Sequence, residues 1–345
     1  MSPLITTILV LNLATGTMIT MSSYHWLLAW MGLELNTLAI LPIISKSHHP
    51  RATEASTKYF LTQATASALI LFSSLINAQA TGQWNILQLE HPVAQTLLTM
   101  ALAMKLGLSP THFWLPEVLQ GSSLKTALII ITWQKLAPTT ILFLTWNQMS
   151  MLTITTMGIL SVLTGGLGGL NQTQLRKIMA FSSIAHLGWM ATIITKSNKL
   201  AFLNLMIYIM ISSPLMLTLI LFSTKTVPDL TTTWTTSPLL TTLTMTTLLS
   251  LGGLPPLTGF LPKWLILEEL LKQNMTLLAT LMAMMTLMSL FFYLRLSYTL
   301  SVTITPTPTM TTNKWRIKPN MTTPLLSTAL PISLMALPLM PLMKP

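Results

Sequence analysis

The chain contains no cysteine. Disulfides, thiolate-bound zinc and cysteine-ligated iron–sulfur clusters within it are therefore excluded. Charge is nearly as scarce. Only 7% of the 345 residues are Asp, Glu, Lys or Arg, and just 7 are acidic, whereas a soluble domain carries about 25% charged residues. Long polar stretches are missing too. The longest, Thr305 to Thr323, is too short to bury a core, so no soluble head domain is expected. The N-terminus lacks a basic leader, an Ala-x-Ala cleavage pattern and an Arg-rich amphipathic stretch. Met1–Thr20 thus reads as a retained first helix, not a signal or transit peptide.

What is present is apolar sequence, 51% of the chain. Runs of membrane length recur at Leu4–Met21, Trp26–Ile44, Tyr59–Ile76, Leu97–Leu108, Leu124–Trp146, Leu152–Leu170, Ile178–Ile194, Leu200–Phe222, Leu239–Leu251, Leu277–Leu296 and Leu325–Met343. A helix of roughly 20 residues crosses a bilayer. It also satisfies its own backbone hydrogen bonds, which lipid cannot do. The expected fold is an all-α polytopic membrane protein of about eleven transmembrane helices. The 25 methionines have two explanations: free exchange with leucine at lipid-facing positions, or an organellar genetic code with an extra Met codon.

The formal net charge of +11 does not point to nucleic acid, because the basic residues lie in short loops and not on one amphipathic face. With eleven spans, one side of the membrane receives Lys46, Arg51, Lys58, Lys125, Arg176, Lys177, Lys225, Arg295, Lys314, Arg316 and Lys318. The other receives Lys196, Lys199, Lys272 and Lys344. The positive-inside rule places the richer set on the cytoplasm-like side, with the N-terminus there and the C-terminus opposite.

Four charges remain within the spans: Glu34 in Trp30-Met-Gly-Leu-Glu-Leu-Asn36, Lys105 in Met100-Ala-Leu-Ala-Met-Lys-Leu-Gly-Leu108, Lys135 in Ile131-Thr-Trp-Gln-Lys-Leu-Ala-Pro138, and Lys263 in Gly259-Phe-Leu-Pro-Lys-Trp264. Each costs roughly 2.5–3.5 kcal/mol at a helix centre. Pairing for packing or snorkelling to an interface is the bland explanation. A buried polar axis is the functional one. Lys105 precedes Gly107 and Pro110, while Lys263 follows Gly252-Gly-Leu-Pro-Pro256 and Pro262. Proline breaks a helix, and a break at membrane depth is tolerated only inside protein or against a wet cavity. The fourth and ninth spans therefore read as discontinuous. Their positions suggest two inverted five-helix units, over residues 1–146 and 147–300, followed by a loop over 301–323 and a C-terminal helix over 324–345. No obvious identity between the halves supports this, so the repeat rests on position alone.

His112 and His186 also fall within or near spans. They suit proton relays, since histidine titrates near neutrality. They equally suit satisfied polar core positions. A haem would want a second histidine on a facing helix. The four charges are expected at similar depth in one lateral row. Glu34 should face Lys105 directly or through one water, and the two histidines should fill gaps in the row.

Six segments carry a family resemblance: Gly32-Leu-Glu-Leu-Asn36, Glu54-Ala-Ser-Thr-Lys-Tyr-Phe60, Lys105-Leu-Gly-Leu-Ser-Pro-Thr-His-Phe-Trp-Leu-Pro-Glu117, Gly169-Leu-Asn-Gln-Thr-Gln-Leu-Arg-Lys177, Ser182-Ser-Ile-Ala-His-Leu-Gly-Trp189 and Leu251-Gly-Gly-Leu-Pro-Pro-Leu-Thr-Gly-Phe-Leu-Pro-Lys263. Together they closely resemble the NADH dehydrogenase subunit 2 family, antiporter-like membrane subunits of respiratory complex I. The likeness covers essentially the whole chain. It implies a proton-translocating subunit of the mitochondrial inner membrane, with its N-terminus in the matrix. Glu34 and Lys105 would be a coupled pair, Lys135 the central lysine and Lys263 the lysine of the second half. No cofactor is expected in this chain: NADH, FMN, iron–sulfur clusters and ubiquinone would be handled by the rest of the complex. Partners would be other membrane-arm and accessory subunits and lipids such as cardiolipin, with no nucleic acid. Thr111 departs from the bulky apolar residue usual between the Pro and His of the first break. A free-standing cation/proton antiporter is the alternative. A pure membrane scaffold leaves the buried charges unexplained.

Overall fold

The computed structural model describes residues 2–302, 324–335 and 337–339. The loop Thr305–Thr323 with Lys314, Arg316 and Lys318, and Lys344 near the C-terminus, lie outside the described residues. Among those described, regular structure is helical. Strand-like pairing is limited to the isolated antiparallel bridges His25–Asn85 and Gln174–Thr226.

In chain order the helices are α1 (Pro3–Ser22), α2 (Trp26–Ile44), α3 (Pro50–Thr81), α4 (Pro92–Leu106), α5 (Trp114–Gly121), α6 (Leu124–Ile131) and α7 (Leu136–Leu144). They continue with α8 (Met151–Gly169), α9 (Leu175–Ile194), α10 (Asn198–Phe222), α11 (Val227–Thr231), α12 (Thr233–Thr236), α13 (Pro238–Gly252), α14 (Phe260–Lys272), α15 (Thr276–Val302) and α16 (Pro324–Met335). Pro3, Pro50, Pro92 and Pro238 open their helices, where the missing N–H has no helical partner to lose. Among the described residues, eight helical segments, with Leu124–Leu144 taken as one, are long and apolar enough to cross a membrane. Pro92–Leu106, Pro238–Gly252 and Pro324–Met335 are shorter apolar helices. The chain is thus a polytopic helical membrane protein.

Two compact units form. One comprises Met1–Ser161 with Leu187–Asn198, the other Val162–His186 with Lys199–Pro345. In the first, α1 packs along α2, α3 packs against α2, α4 and α5, and α7 touches α1, α2 and α4. In the second, α15 packs against α13 and α14, and α16 joins α13. The polarity of the surface is that of a lipid-solvated protein. α1 turns Leu4, Leu11 and Met18 outward, whereas α9, with Ser182, Ser183 and His186, is buried along most of its length. Buried hydroxyls bond back to their own helices, as Thr20 does to the Thr17 carbonyl and Ser182 to that of Met179. Serine and threonine can therefore enter these helices without leaving a donor unmade.

Candidate functional site: lysines at two broken helices

α4 stops at Gly107, whose φ of +78° is left-handed. The Gly107 N–H reaches the Ala103 and Met104 carbonyls and the Leu108 N–H reaches Ala103, which closes the helix as glycine C-caps do. Four carbonyls at such an end lack helical donors and carry partial negative charge. Here they meet cationic and polar side chains. The Trp114 indole donates to the Met104 carbonyl over 3.0 Å. Lys135 Nζ donates to the Leu106 carbonyl and lies 5.7 Å from the Trp114 ring centre, within cation–π range. Lys135 is only 1% exposed.

Lys135 sits on a 3₁₀ turn, Trp133–Lys135, that separates α6 from α7. The fifth apolar run therefore also carries a helical interruption, beyond the two expected from proline. Pro138 follows three residues after Lys135, and it cannot donate to the Gln134 carbonyl in that turn. Thr132 departs from helical geometry (φ −104°, ψ −68°) and its hydroxyl bonds back to Leu128. A tight turn of this kind inside a long helix marks a strained or functional position.

Lys105, 4% exposed, shares a small cavity with Lys135. Asn36, Thr37, Tyr59, Gln63, Trp114 and Gln134 also line it. Lys105 Nζ closes no hydrogen bond, nor do the amide groups of Asn36 or the side-chain nitrogens of Gln63 and Gln134. Half-buried Glu34 accepts from the Thr37 hydroxyl at 2.9 Å. It forms no ion pair with Lys105 within 4 Å, yet its carboxylate acts electrostatically on both Lys105 and Tyr59. Glu34, Lys105 and Lys135 are thus brought to one region of the first unit.

The second unit repeats the geometry. α13 ends at Gly253, φ +83°. The Gly253 N–H reaches the Leu249 and Ser250 carbonyls, and the Leu254 N–H reaches Leu249. Half-buried Lys263 donates from Nζ to the Gly252 carbonyl at 2.8 Å. Leu106 and Gly252 each immediately precede the left-handed glycine, so both lysines dock on the same carbonyl of a broken helix. Aligned on those glycines, Leu108, Pro110, Leu115, Pro116 and Leu119 meet Leu254, Pro256, Leu261, Pro262 and Leu265. The residues around the two breaks thus share a short pattern of leucines and prolines. In this register Lys263 falls opposite Glu117, which pairs with Lys58 at 2.6 Å. Lysine reaches the broken end from a neighbouring span in one unit and from the following half-helix in the other.

The two histidines have different surroundings. His112 is buried at the first break, with Nδ1 unpartnered and its ring 4.4 Å from that of Phe113, but it does not line the Lys105–Lys135 cavity. Thr111 donates its hydroxyl to the Leu108 carbonyl, which satisfies the polar group that stands there. His186 stacks on Tyr208 at 5.0 Å, lies in reach of the Leu251 carbonyl at the end of α13 and interacts electrostatically with Lys263. Asn204 donates to its backbone carbonyl.

Sequence reasoning passed over Asn36, Gln63, Gln134 and Trp114. The available signal was an amide inside an apolar run, which costs free energy unless bonded. Among the described residues no group of three or more His, Asp or Glu stands close enough to hold a metal ion.

Broken helices whose free carbonyls hold buried lysines, in an all-helical apolar bundle, define a polytopic, antiporter-like membrane protein. Residues 23–289 match the family model of the NADH:quinone oxidoreductase/Mrp antiporter transmembrane region, and 290–344 match that of the NADH dehydrogenase subunit 2 C-terminus. NADH-ubiquinone oxidoreductase chain 2 of Latimeria chalumnae is 56% identical over 99% of both chains, and that of Xenopus laevis 54% identical over 99% of both. A chain in the structure of respiratory complex I from Thermus thermophilus superposes with a TM-score of 0.85 at 27% identity, covering 98% of this chain and 78% of that one. A chain of the Mrp complex from Dietzia shares the fold, with a TM-score of 0.76 at 19% identity over 88% of this chain and 62% of that one. The chain belongs to the NADH-ubiquinone oxidoreductase chain 2 family.

Proposed function

We propose that this chain is a core membrane subunit of proton-pumping NADH:ubiquinone oxidoreductase, complex I, and that it carries protons through Glu34, Lys105, Lys135 and Lys263, with His112 and His186 as relays. The observation that carries the reading is Lys135: a lysine 1% exposed, docked on the open carbonyl end of α4 and sharing a cavity with Lys105. A buried ammonium is too costly to keep for packing alone, and intramembrane lysines beside broken helices mark ion pathways. Glu34, tied to Thr37, is the carboxylate that modulates Lys105 in this path.

This chain has no cysteine to ligate an iron–sulfur cluster, and FMN and the sites for NADH and ubiquinone are likewise assigned to other subunits. It sits in the mitochondrial inner membrane with eleven spans, matrix N-terminus and intermembrane-space C-terminus. It divides into five-helix halves over residues 1–146 and 147–300, a matrix loop over 301–323 and a last helix over 324–345. Neighbouring membrane-arm subunits, accessory subunits and cardiolipin cover its apolar faces.

A free-standing cation/proton antiporter is the second reading, favoured by the antiporter branch within the matching family model. Extraction in mild detergent separates the two. Co-migration with NADH-oxidising activity is expected. A chain that purifies alone and exchanges cations in vesicles overturns the subunit assignment.

A further inference from the structure

We propose that Asn36, Gln63 and Gln134 form an amide cradle that holds a bound water between Lys105 and Lys135. The inference rests on the reading of these lysines as proton carriers and adds positioning residues to it. Asn36 comes from α2, Gln63 from α3, Lys105 from α4, and Gln134 and Lys135 from the 3₁₀ turn, so four elements converge on one cavity. Asn36 and Gln63 are at most 4% exposed. Asn36 Nδ2 and Oδ1, Gln63 Nε2, Gln134 Nε2 and Lys105 Nζ all lack hydrogen-bond partners within the protein. Buried polar groups in folded proteins are almost always satisfied, by protein or by ordered water. The cavity is small, with roughly the room that one water needs.

The polarity of the lining selects the occupant. A water accepts two hydrogen bonds and donates two. It can accept from Lys105 and an amide nitrogen while donating to the amine of a neutral Lys135, which lines the same cavity; Asn36 Oδ1 packs toward Gly16 of α1. An anion could accept from the same donors but has no proton to pass on. Amides do not titrate, so they fix the water without competing for its proton. The transfer balances. A protonated Lys105 gives a proton to the water, the water gives one of its own to neutral Lys135, and the water is regenerated. The Leu106 carbonyl, which already accepts from Lys135, keeps the receiving amine aimed at the cavity.

The test uses the assembled complex in two arms. A high-resolution density map should show an ordered water within hydrogen-bond reach of Lys105 Nζ and at least two of the three amides. Amides bonded only to one another, or halide density in that place, overturn the proposal. In the second arm, Gln63→Met should remove the water peak and lower proton pumping per NADH about tenfold, the usual weight of one lost hydrogen bond to a charged group. Gln63→Asn, which keeps an amide and leaves room for a second water, should restore pumping to within about twofold. Lys105→Met is the reference. If it abolishes pumping while Gln63→Met pumps normally, the cradle alone is wrong. If Lys105→Met also pumps normally, the proton-path reading itself fails. Should Gln63→Met not assemble, the density of the unsubstituted complex decides.

Discussion

The two broken helices carry the same backbone device in different chemical surroundings. At both, a left-handed glycine ends the helix, and a lysine takes the carbonyl one residue before it. Around Lys135 the first unit places a second buried lysine, three amides and a tryptophan. Around Lys263 the second unit places His186, and α13 brings a row of buried hydroxyls, Thr241, Thr244, Thr247 and Ser250, up to the break. Each of those hydroxyls bonds back to its own helix. The shared part is what electrostatics requires: an unpaired helix C-terminus favours a cation. The divergent part is the polar lining around each lysine, and there the two breaks are not copies.

Four experiments probe this contrast. The largest effect is expected at the fully buried dock. Lys135→Met keeps the stem length and removes the charge. Proton pumping by the reconstituted complex should fall on the order of 10²-fold, as loss of a proton-transfer group does, while assembly on native gels is retained. Lys263→Met should cost less, on the order of tenfold, because a half-buried position can admit a substituting water. Equal losses would mean that hydration does not separate the two sites, and normal pumping with both replaced would return the lysines to a packing role.

The glycines come next. Gly253→Ala forces a left-handed alanine, about 1–2 kcal/mol, and puts its Cβ 2.9 Å from Lys263 Nζ. Gly107→Ala carries the same backbone cost but meets Leu115 at 3.3 Å and Trp114 at 3.5 Å, with nothing closer. Thermal denaturation in lipid nanodiscs should rank Gly253→Ala as the more harmful, and pumping should fall with it. The reverse order would show that the Lys263 contact does not matter. Gly259 is a stricter case. A Cβ there would lie 1.7 Å from the Ser250 carbonyl oxygen, so Gly259→Ala should prevent assembly. The equivalent position in the first unit is Phe113, 69% exposed, and Phe113→Ala should be tolerated.

The smallest effect lies outside the membrane. Asp229 accepts the Lys225 and Thr226 N–H groups at 3.0 and 2.8 Å, and these bonds, the Thr226 one foremost, hold its carboxyl below the usual range. A depressed carboxylate stabilises the fold above its unfolded value, near 3.9. That contribution is lost as pH falls through the lower native value. Asp229→Asn keeps an acceptor and removes the charge, so it should cost about 0.3–1 kcal/mol at neutral pH, a difference that shrinks as pH falls through the native value. A loss independent of pH would show that the cap's charge is irrelevant.

The site was partly legible beforehand. Glu34, Lys105, Lys135 and Lys263 stand out because a charge in an apolar run is expensive, and the breaks near Lys105 and Lys263 are written in Gly and Pro. The interruption beside Lys135 was not. Trp133-Gln-Lys135 itself contains no breaker; Pro138, in the first turn of α7, lacks the N–H that would bond the Gln134 carbonyl, but a lone proline in an apolar run is ambiguous. The pattern that the two breaks share was not legible either, because its leucines and prolines are scattered and align only once Gly107 and Gly253 are seen in the same conformation. The amides were overlooked because one polar residue in a span is ambiguous, and the convergence of three is a property of packing.

Sequence alone determined that this chain is a helical membrane protein and which of its side chains carry charge into the interior. Both follow from local physics: the length of an apolar run, the self-sufficiency of helical hydrogen bonds, the cost of desolvating an ion. Tertiary structure decided which carbonyl each lysine occupies, that Lys105 and Lys135 share one cavity while His112 stands apart from it, and that Glu34 acts on Lys105 without touching it. Those relations join residues tens of positions apart, and no local rule ranks one distant pairing above another until the helices have packed.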